Sequence, residues 1–185
     1  AAGTASSGRA TNKQVLVCDL IKEKSEVLLA AGVARPVFFS ANSQSLATVS
    51  RNAQGLLTLA SWNIADKAVQ TTVSLFDSRF QGDARTVSFL DSPIAEGSMA
   101  VTPDRQGLAI GHDDGSIRLW STRTGEILGV FPAIPKQGAL LMAFSPSGGT
   151  LCAFYYQYLE EHPLVLWDVA TRTEKARLNL SGAQA

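Results

Sequence analysis

The stretch MAVTPDRQGLAIGHDDGSIRLWSTRTGEILGVF (residues 99–131) decides how this chain folds. It contains four short apolar runs, MAV, GLAIG, SIRLW and EILGVF, separated by turns rich in Pro, Asp, Thr and Gly. Short apolar runs with such punctuation are typical of consecutive antiparallel strands, and Asp-Gly is a strong hairpin signal. The stretch therefore predicts a four-stranded meander. Such a meander cannot bury both of its faces alone, and it invites stacking on copies of itself.

The rest of the chain repeats this pattern. FSANSQSLA (39–47), VTPDRQGLA (101–109) and FSPSGGTLC (144–152) align without gaps. A second anchor follows in each repeat, where an apolar run meets a polar turn: Cys18, Trp62, Trp120 and Trp167 occupy this place. Helical periodicity is absent throughout, so the sequence predicts an all-β chain built from internal repeats.

Composition narrows the range of functions. The chain has 185 residues, 45% of them apolar, with 16 basic and 16 acidic side chains and no net charge. This balance weighs against a nucleic-acid partner, which requires clustered positive charge. No apolar run is long enough to span a membrane, and the N-terminus lacks a signal-peptide pattern. Both cysteines, Cys18 and Cys152, fall in apolar runs. We expect buried free thiols in a reducing compartment, cytoplasmic or nuclear.

A repeat of about forty residues whose third strand ends in Trp-Asp resembles the WD40 family of β-propellers. The resemblance rests on Trp167-Asp168, on Trp120-Ser121 and Trp62-Asn63, and on DDGSIRLW (113–120), over residues 14–180. It implies four-stranded antiparallel blades, an architecture that other propeller families share. The Gly-His pair that opens many family repeats is missing ahead of every unit, so the family's His–Ser–Trp–Asp network is expected to be incomplete.

The repeats divide the chain into about three and a half blades. We expect a flexible N-terminal tail (1–13), a half blade (14–31), whole blades (about 32–76, 98–132 and 139–181) and an insertion (77–97). Closed propellers have four to eight blades, so the others must come from elsewhere. An absent portion of the same polypeptide is the simplest source; a second copy or another subunit are the alternatives.

The irregular loops predict an interaction surface. In a four-stranded blade, the turns between strands two and three share one rim with the connections to the next blade. The irregular segments 77–97, 112–115, 132–138 and 155–163 all fall on this rim, which is typical of a recognition surface, although inter-blade loops also vary freely. The candidate protein-binding residues on it are Tyr158, Glu160, Glu161, His162, Arg79, Phe80, Phe89 and Asp91.

The sequence points to no catalytic, cofactor or metal site. His112-Asp113-Asp114 could be an acid–base or metal cluster, but the geometry of a tight turn explains adjacent aspartates more simply. The first functional expectation is a non-catalytic scaffold whose partners are other proteins. The alternatives are a structural subunit of a large assembly and a ligand-binding sensor or enzyme. The apolar inner-strand runs MAV, VFFS and LMAF favour the scaffold.

Overall fold

A computed structural model describes residues 2–5, 14–19, 24–29, 34–51, 57–75, 98–112, 114–134, 138–156 and 162–180. Every regular element in these ranges is a β-strand, so the prediction of an all-β chain is confirmed for this part of the protein. The strands are β1 (Ala2–Ala5), β2 (Gln14–Asp19), β3 (Lys24–Leu29), β4 (Ala34–Phe39), β5 (Ser45–Arg51), β6 (Leu57–Asn63), β7 (Val69–Leu75), β8 (Met99–Val101), β9 (Gly107–Gly111), β10 (Ile117–Ser121), β11 (Ile127–Phe131), β12 (Gly138–Phe144), β13 (Thr150–Tyr156), β14 (His162–Asp168) and β15 (Glu174–Leu180).

The strands pair antiparallel in chain order to form four sheets. Sheet 1 contains β1–β3, sheet 2 contains β4–β7, sheet 3 contains β8–β11 and sheet 4 contains β12–β15. Sheets 1 and 2 belong to one compact unit, Ala1–Phe76, and sheets 3 and 4 belong to a second, Asp77–Ala185. Because hairpin turns join neighbouring strands, each sheet is a simple meander of the kind that residues 99–131 predict.

Sheet 1 differs from its prediction. Residues 1–13 are expected to form a flexible tail, yet Ala2–Ala5 is a strand that pairs with β2 through Ala2–Val17 to Ala5–Gln14. Sheet 1 therefore has three described strands rather than the two of a half blade. The sequence AGTA carries no alternation of large apolar side chains. These residues form a strand because their backbone hydrogen-bonds to β2, and the local sequence pattern does not reveal this pairing.

The repeat in the sequence is also a repeat in the backbone. One hydrogen bond recurs in three sheets, from the second residue after each tryptophan to the first turn: Ile64 N to Gln44 O (2.9 Å), Thr122 N to Gln106 O (3.0 Å) and Val169 N to Gly149 O (3.2 Å). The fifth residue after each tryptophan has a positive φ angle: Lys67, Gly125 and Arg172. The gapless alignment of the three repeats thus corresponds to one shared turn geometry.

The residue that follows each tryptophan holds the next turn in place. Its side-chain oxygen accepts hydrogen bonds from backbone N–H groups two and three residues later. The bonds run to Asn63 Oδ1 from Ala65 and Asp66, to Ser121 Oγ from Arg123 and Thr124, and to Asp168 Oδ1 from Ala170 and Thr171. Asp, Asn and Ser can all make this local bond. Departures from Trp-Asp in sheets 2 and 3 therefore preserve the turn.

Replacing Asp168 with asparagine is expected to leave the stability of the second unit almost unchanged, because Asn63 already makes the same bonds in sheet 2. Asp168→Ala removes both backbone bonds and is expected to lower the free energy of unfolding more than Asp168→Asn does. Urea denaturation followed by circular dichroism measures both. Equal losses for the two variants would contradict the turn role and would assign the effect to the Lys175–Asp168 ion pair at 3.5 Å.

The tryptophan-bearing faces pack against the preceding sheet within each unit. In the first unit, Leu46 of sheet 2 lies against Val15 of sheet 1, and Trp62 joins the same apolar cluster. In the second unit, Trp167 of sheet 4 packs into a cluster that includes Phe131 of sheet 3, with ring centres 5.9 Å apart. We call this side of a sheet its tryptophan face.

The indole nitrogens of the three tryptophans differ in whether they have a hydrogen-bond acceptor on the neighbouring strand. Trp62 Nε1 donates a hydrogen bond of 3.0 Å to Thr48 Oγ1. The positions equivalent to Thr48 hold Ile110 in sheet 3 and Ala153 in sheet 4, which offer no acceptor. Trp120 Nε1 and Trp167 Nε1 are accordingly buried without a hydrogen-bond partner among the described residues. The residue at this position of the second strand therefore decides whether the indole nitrogen has an acceptor there.

Thr48→Val is expected to lower the free energy of unfolding of the first unit by about 1–3 kcal/mol. The substitution keeps the side-chain shape but leaves Nε1 of the partly buried Trp62 without its acceptor. Thr48→Ser keeps the hydroxyl and should lose less than the valine variant. Chemical denaturation of both variants measures the difference. A valine variant as stable as the original would show that the indole bond contributes nothing.

Candidate functional site

Three described segments of the second unit lie together on one rim of sheet 3, which we call the loop rim. It contains Ser98, the turn between β9 and β10, and residues 132–134 after β11. Gly111 N donates to Ser98 O at 2.9 Å, and Ile134 N donates to Gly115 O at 3.2 Å. These two bonds tie the hairpin turn to the segments before β8 and after β11. The described loops of this rim are therefore joined by backbone hydrogen bonds.

A polar cluster builds the turn of the loop rim. Asp114 Oδ1 accepts hydrogen bonds from Ser116 N (2.9 Å) and Ser116 Oγ, and Asp114 Oδ2 forms a 2.7 Å ion pair with Arg118 Nη2. Arg118 is only 3% exposed, whereas the Asp114 side chain is 39% exposed. His112 is buried beside this turn, and Asp113 lies outside the described residues. The contacts of Asp114 match the turn interpretation of the HDDG sequence.

The pKa of the Asp114 carboxyl reflects this cluster. Partial burial raises the pKa, but hydrogen bonds from Ser116 and the charge of Arg118 outweigh it, so the pKa lies below its ordinary value of 3.8. A carboxyl with a lowered pKa stabilises the folded state above the unfolded pKa, and this contribution is lost as pH falls through the folded pKa.

The thermal midpoint is therefore expected to fall once the pH drops below about 3.8. Asp104 and Asp168 also have lowered pKa values, through hydrogen bonds in their own turns, and add to the loss. Asp114→Asn should make the midpoint less sensitive to acid over this range than it is in the original chain. Thermal melts at a series of pH values measure this. If the thermal midpoint fell equally with pH in the original chain and in Asp114→Asn, Asp114 would not contribute to the acid sensitivity.

The opposite rim of the second unit is built from short turns that bond to themselves. Thr102 Oγ1 accepts a hydrogen bond from Gly107 N at 2.8 Å and donates one to Asp104 Oδ1. Thr122 Oγ1 donates to Arg105 O at 2.8 Å and connects the two turns of sheet 3. This rim provides matched control positions for the loop rim, including the exposed Arg123 and Glu126.

A cleft of about 380 Å³ opens between sheets 3 and 4 in the second unit. Arg172 lies at its side and donates a 2.6 Å hydrogen bond to Leu128 O. A Cβ atom on Gly129 would lie 1.8 Å from Arg172 Nε, so this glycine is what lets the guanidinium cross from one sheet to the other. The cleft is lined by Pro132, Ala133, Ile134, Trp167, Arg172, Thr173, Glu174 and Arg177.

The donors around this cleft are enclosed. Trp167 Nε1 and Tyr155 Oη are buried without a hydrogen bond of acceptable geometry among the described residues, and burial raises the pKa of the Tyr155 hydroxyl. Glu174 and Arg177 pair with each other at 2.6 Å at the mouth. The cleft therefore lies between the two sheets. At its mouth, the opposite charges of Glu174 and Arg177 neutralise each other.

The structure places some of the predicted site residues. His162 begins β14, and its ring lies 6.1 Å from Phe154 in an edge-on arrangement. Trp62, Trp120 and Trp167 end the third strands as predicted, and Asp168 holds its turn. Cys18 lies in β2, where the structure describes the backbone alone. The remaining candidates stay predictions because they lie outside the described residues: Tyr158, Glu160, Glu161, Arg79, Phe80, Phe89 and Asp91.

Two features were missed or differ from expectation. The burial of Arg118 was not predicted, because in the run SIRLW it looks like the solvent-facing position of a strand. The signal that could have revealed it is Asp114, four residues earlier across a tight turn. Cys152 is a free thiol, as expected, but it is half-buried rather than buried, and burial raises its pKa.

Within the described residues, no group of three or more His, Cys, Asp or Glu side chains is arranged to hold a metal ion. The same part of the chain contains no helix with the length and apolar character needed to cross a membrane.

Comparisons with known proteins identify the fold. No family model matches the sequence, and no curated protein matches it. Solved structures do match: a chain of the mitotic checkpoint complex (14% identity, TM-score 0.59, 89% of this chain and 45% of that one), hydrazine synthase from Kuenenia stuttgartiensis (13%, 0.61, 90% and 43%) and TolB from Acinetobacter baumannii (10%, 0.56, 88% and 37%).

These matched chains are β-propellers, and at such low identity the likeness concerns the fold alone. With its four-stranded antiparallel sheets, the chain is a partial β-propeller, as the sequence predicts. It spans less than half the length of each chain it matches.

Proposed function

We propose that this chain is part of a non-catalytic, WD40-like propeller whose loop rim binds other proteins. One observation carries the proposal: the loop rim is a set of irregular segments joined by backbone hydrogen bonds on top of regular sheets. Loops held by a rigid scaffold are the usual place for recognition in repeat folds. The role of the sheets is then to fix the relative positions of the loops.

The WD40 assignment is supported by the repeated turn that follows each tryptophan. In sheet 4 this turn has the Trp-Asp pair itself, and in sheet 2 the indole donates to a threonine on the neighbouring strand. A tryptophan bonded to a hydroxyl, next to a side chain that holds the following turn, resembles part of the family's network. Sheets 3 and 4 keep the turn but have no acceptor for the indole on the second strand.

The non-catalytic part of the proposal is supported by how the polar groups of the loop rim are used. Asp114, Ser116 and Arg118 bond to one another and stabilise the turn. Ser116 and Arg118 are buried, and the two carboxylate oxygens of Asp114 bond to them. This arrangement supports a structural role for the cluster and leaves recognition to the loops around it.

The test compares the two rims of the second unit. The protein, carrying an affinity tag, is used to capture binding partners from an extract of its source cells. Mass spectrometry then quantifies the captured proteins. Tyr158, Glu160 and Glu161 lie outside the described residues, and the sequence predicts that they belong to the same rim. Replacing all three with alanine is expected to reduce the captured partners at least about tenfold, because contact aromatic residues carry much of the binding energy. Arg123→Ala with Glu126→Ala, on the opposite rim, is the matched control and should capture the original set.

Equal capture by the original chain and the loop-rim variant would refute the assignment of binding to this rim. Equal loss of capture in both variants, with unchanged circular dichroism, would show that binding is not confined to the loop rim and would refute the assignment. Turnover of a substrate that is abolished by a single polar substitution at the rim would contradict the non-catalytic proposal.

A further inference from the structure

The cleft between sheets 3 and 4 contains an arginine whose charge no carboxylate of the described residues neutralises. Arg177, at the mouth, pairs with Glu174. The side chain of Arg172, by contrast, makes a single hydrogen bond to the described residues, from Nη2 to Leu128 O. Its Nη1 atom has no partner among them, and its Nε atom is buried without one. The guanidinium of Arg172 therefore brings an uncompensated positive charge to the cleft.

The position of this guanidinium is fixed by the backbone around it. Nη2 donates to Leu128 O at 2.6 Å, and the side chain lies so close to Gly129 that a Cβ atom there would collide with Nε. Arg172 itself belongs to the repeated turn after the tryptophan and has a φ angle of 60°. A ligand that pairs with Nη1 therefore finds the arginine already ordered and loses less conformational entropy on binding.

The other lining residues indicate what the charged group of the ligand is attached to. The lining includes Pro132, Ala133 and Ile134 of the loop rim together with the indole of Trp167. Trp167 is 3% exposed, and its Nε1 atom is buried without a hydrogen-bond partner among the described residues. Unpaired N–H groups next to apolar side chains add positive potential that bulk water does not screen. The cleft therefore favours an anionic group next to a short apolar one.

The size and the mouth of the cleft distinguish between a peptide and a free acid. A volume of about 380 Å³ is near the lower end for sites that enclose a whole small molecule. Glu174 and Arg177 give the mouth both an acceptor and a donor, which match the N–H and C=O groups of a peptide main chain. A free acid has only acceptors to offer, and the carboxylate of Glu174 repels it. The lining therefore favours a single carboxylate that projects from a peptide.

We propose that the cleft binds a glutamate or aspartate side chain from a segment of a partner protein. The carboxylate pairs with Arg172, and a neighbouring apolar side chain of the segment packs against Trp167 and Ile134. The inference deepens the proposed function and rests on it only in taking the ligand to be a protein. Because residues 132–134 belong both to the loop rim and to the cleft, a partner held by the rim can place an acidic side chain here.

The experiment titrates the full chain with the peptide acetyl-Ala-Leu-Glu-Leu-Ala-amide and follows the indole N–H signals by NMR. The signal of Trp167 is assigned from the Trp167→Phe variant. It should move along a saturable curve, whereas the signals of Trp62 and Trp120, which do not line the cleft, should stay in place. The matched peptide acetyl-Ala-Leu-Gln-Leu-Ala-amide should bind at least about tenfold more weakly, because it cannot form the charge-assisted hydrogen bond.

Two variants test the role of Arg172, with a third as the matched control. Arg172→Asn removes the charge, and asparagine tolerates a positive φ angle, so it should weaken binding of the glutamate peptide about tenfold and abolish the preference over glutamine. Arg172→Lys keeps the charge without the planar fork and should bind with intermediate affinity; Lys67 shows that lysine fits this turn. Arg105→Asn, at a φ angle of 61° outside the cleft, should bind like the original chain.

Four outcomes would overturn the proposal. They are a Trp167 signal that stays in place up to the solubility limit of the peptide, equal affinities for the two peptides, an Arg172→Asn variant that still prefers glutamate, and glutarate that binds more tightly than the glutamate peptide. The last outcome would assign the cleft to small free acids. Circular dichroism of each variant shows whether the sheets remain folded.

The two proposals fail separately. The capture experiment changes loop residues that do not line the cleft, so a failed titration leaves its result standing. A failed capture together with a saturable, glutamate-specific titration would refute the assignment of binding to the loop rim and would leave the carboxylate site standing.

Discussion

Trp167→Ala is expected to lower the free energy of unfolding of the second unit by about 3–5 kcal/mol. Trp167 is 3% exposed and packs against Phe131 in an apolar cluster that spans sheets 3 and 4. We expect the loss to come mainly from packing and from the cavity that remains. The same substitution removes the contact that covers the apolar face of sheet 3.

The measurement is guanidinium denaturation followed by far-ultraviolet circular dichroism, because tryptophan fluorescence would change with the substitution itself. Trp167→Phe keeps an aromatic ring and should lose clearly less than alanine. Leu128→Ala, at an exposed position, should lose less than about 0.5 kcal/mol. If Trp167→Ala also lost less than about 0.5 kcal/mol, the apolar cluster around Trp167 would not be what holds the two sheets together.

Asp114→Ala is expected to be the second most damaging change, with a loss of about 2–3 kcal/mol. It removes an ion-pair partner from Arg118, which is only 3% exposed, and a buried charge that loses its partner is costly. The partial exposure of Asp114 keeps the loss below the full range for an enclosed pair. The turn also loses the two bonds from Ser116.

The control is the double variant Asp114→Asn with Arg118→Met, which removes the charge together with its partner. It is expected to recover about half of the stability that Asp114→Ala loses, because a buried ion pair is often replaceable by apolar groups. Thermal and denaturant unfolding of the three variants supply the comparison. A double variant less stable than Asp114→Ala would mean that Arg118 stabilises the fold through its other contacts.

The sequence predicted those parts of the fold that depend on local chemistry. The turn residues after Trp62, Trp120 and Trp167 and the alternation of apolar side chains are both local, and the strands of sheets 2–4 lie close to the predicted runs. The turn interpretation of Asp114 was also accessible, since aspartate bonds readily to backbone two residues ahead. Local patterns therefore sufficed for the architecture of three sheets.

What the sequence could not supply depends on contacts between distant residues. β1 has no apolar alternation and is a strand because β2 offers it a ladder. Arg118 reads as an exposed strand residue until its partner across the turn is known. The candidate interaction residues were chosen from loop composition, and only His162 falls where the structure describes side chains. Recognition loops lack the periodicity on which sequence reasoning depends.

The chain-order pairing of the strands has a consequence for the rate of folding. Every ladder in the four sheets joins strands that follow each other along the chain, so loop closure within a sheet costs little entropy. Contacts such as Arg172 with Leu128, 44 residues apart, form only when two sheets dock. Low contact order within each sheet favours rapid local formation followed by slower docking. This topology therefore predicts folding kinetics in which the hairpins form in a fast phase and the sheets dock in a later one.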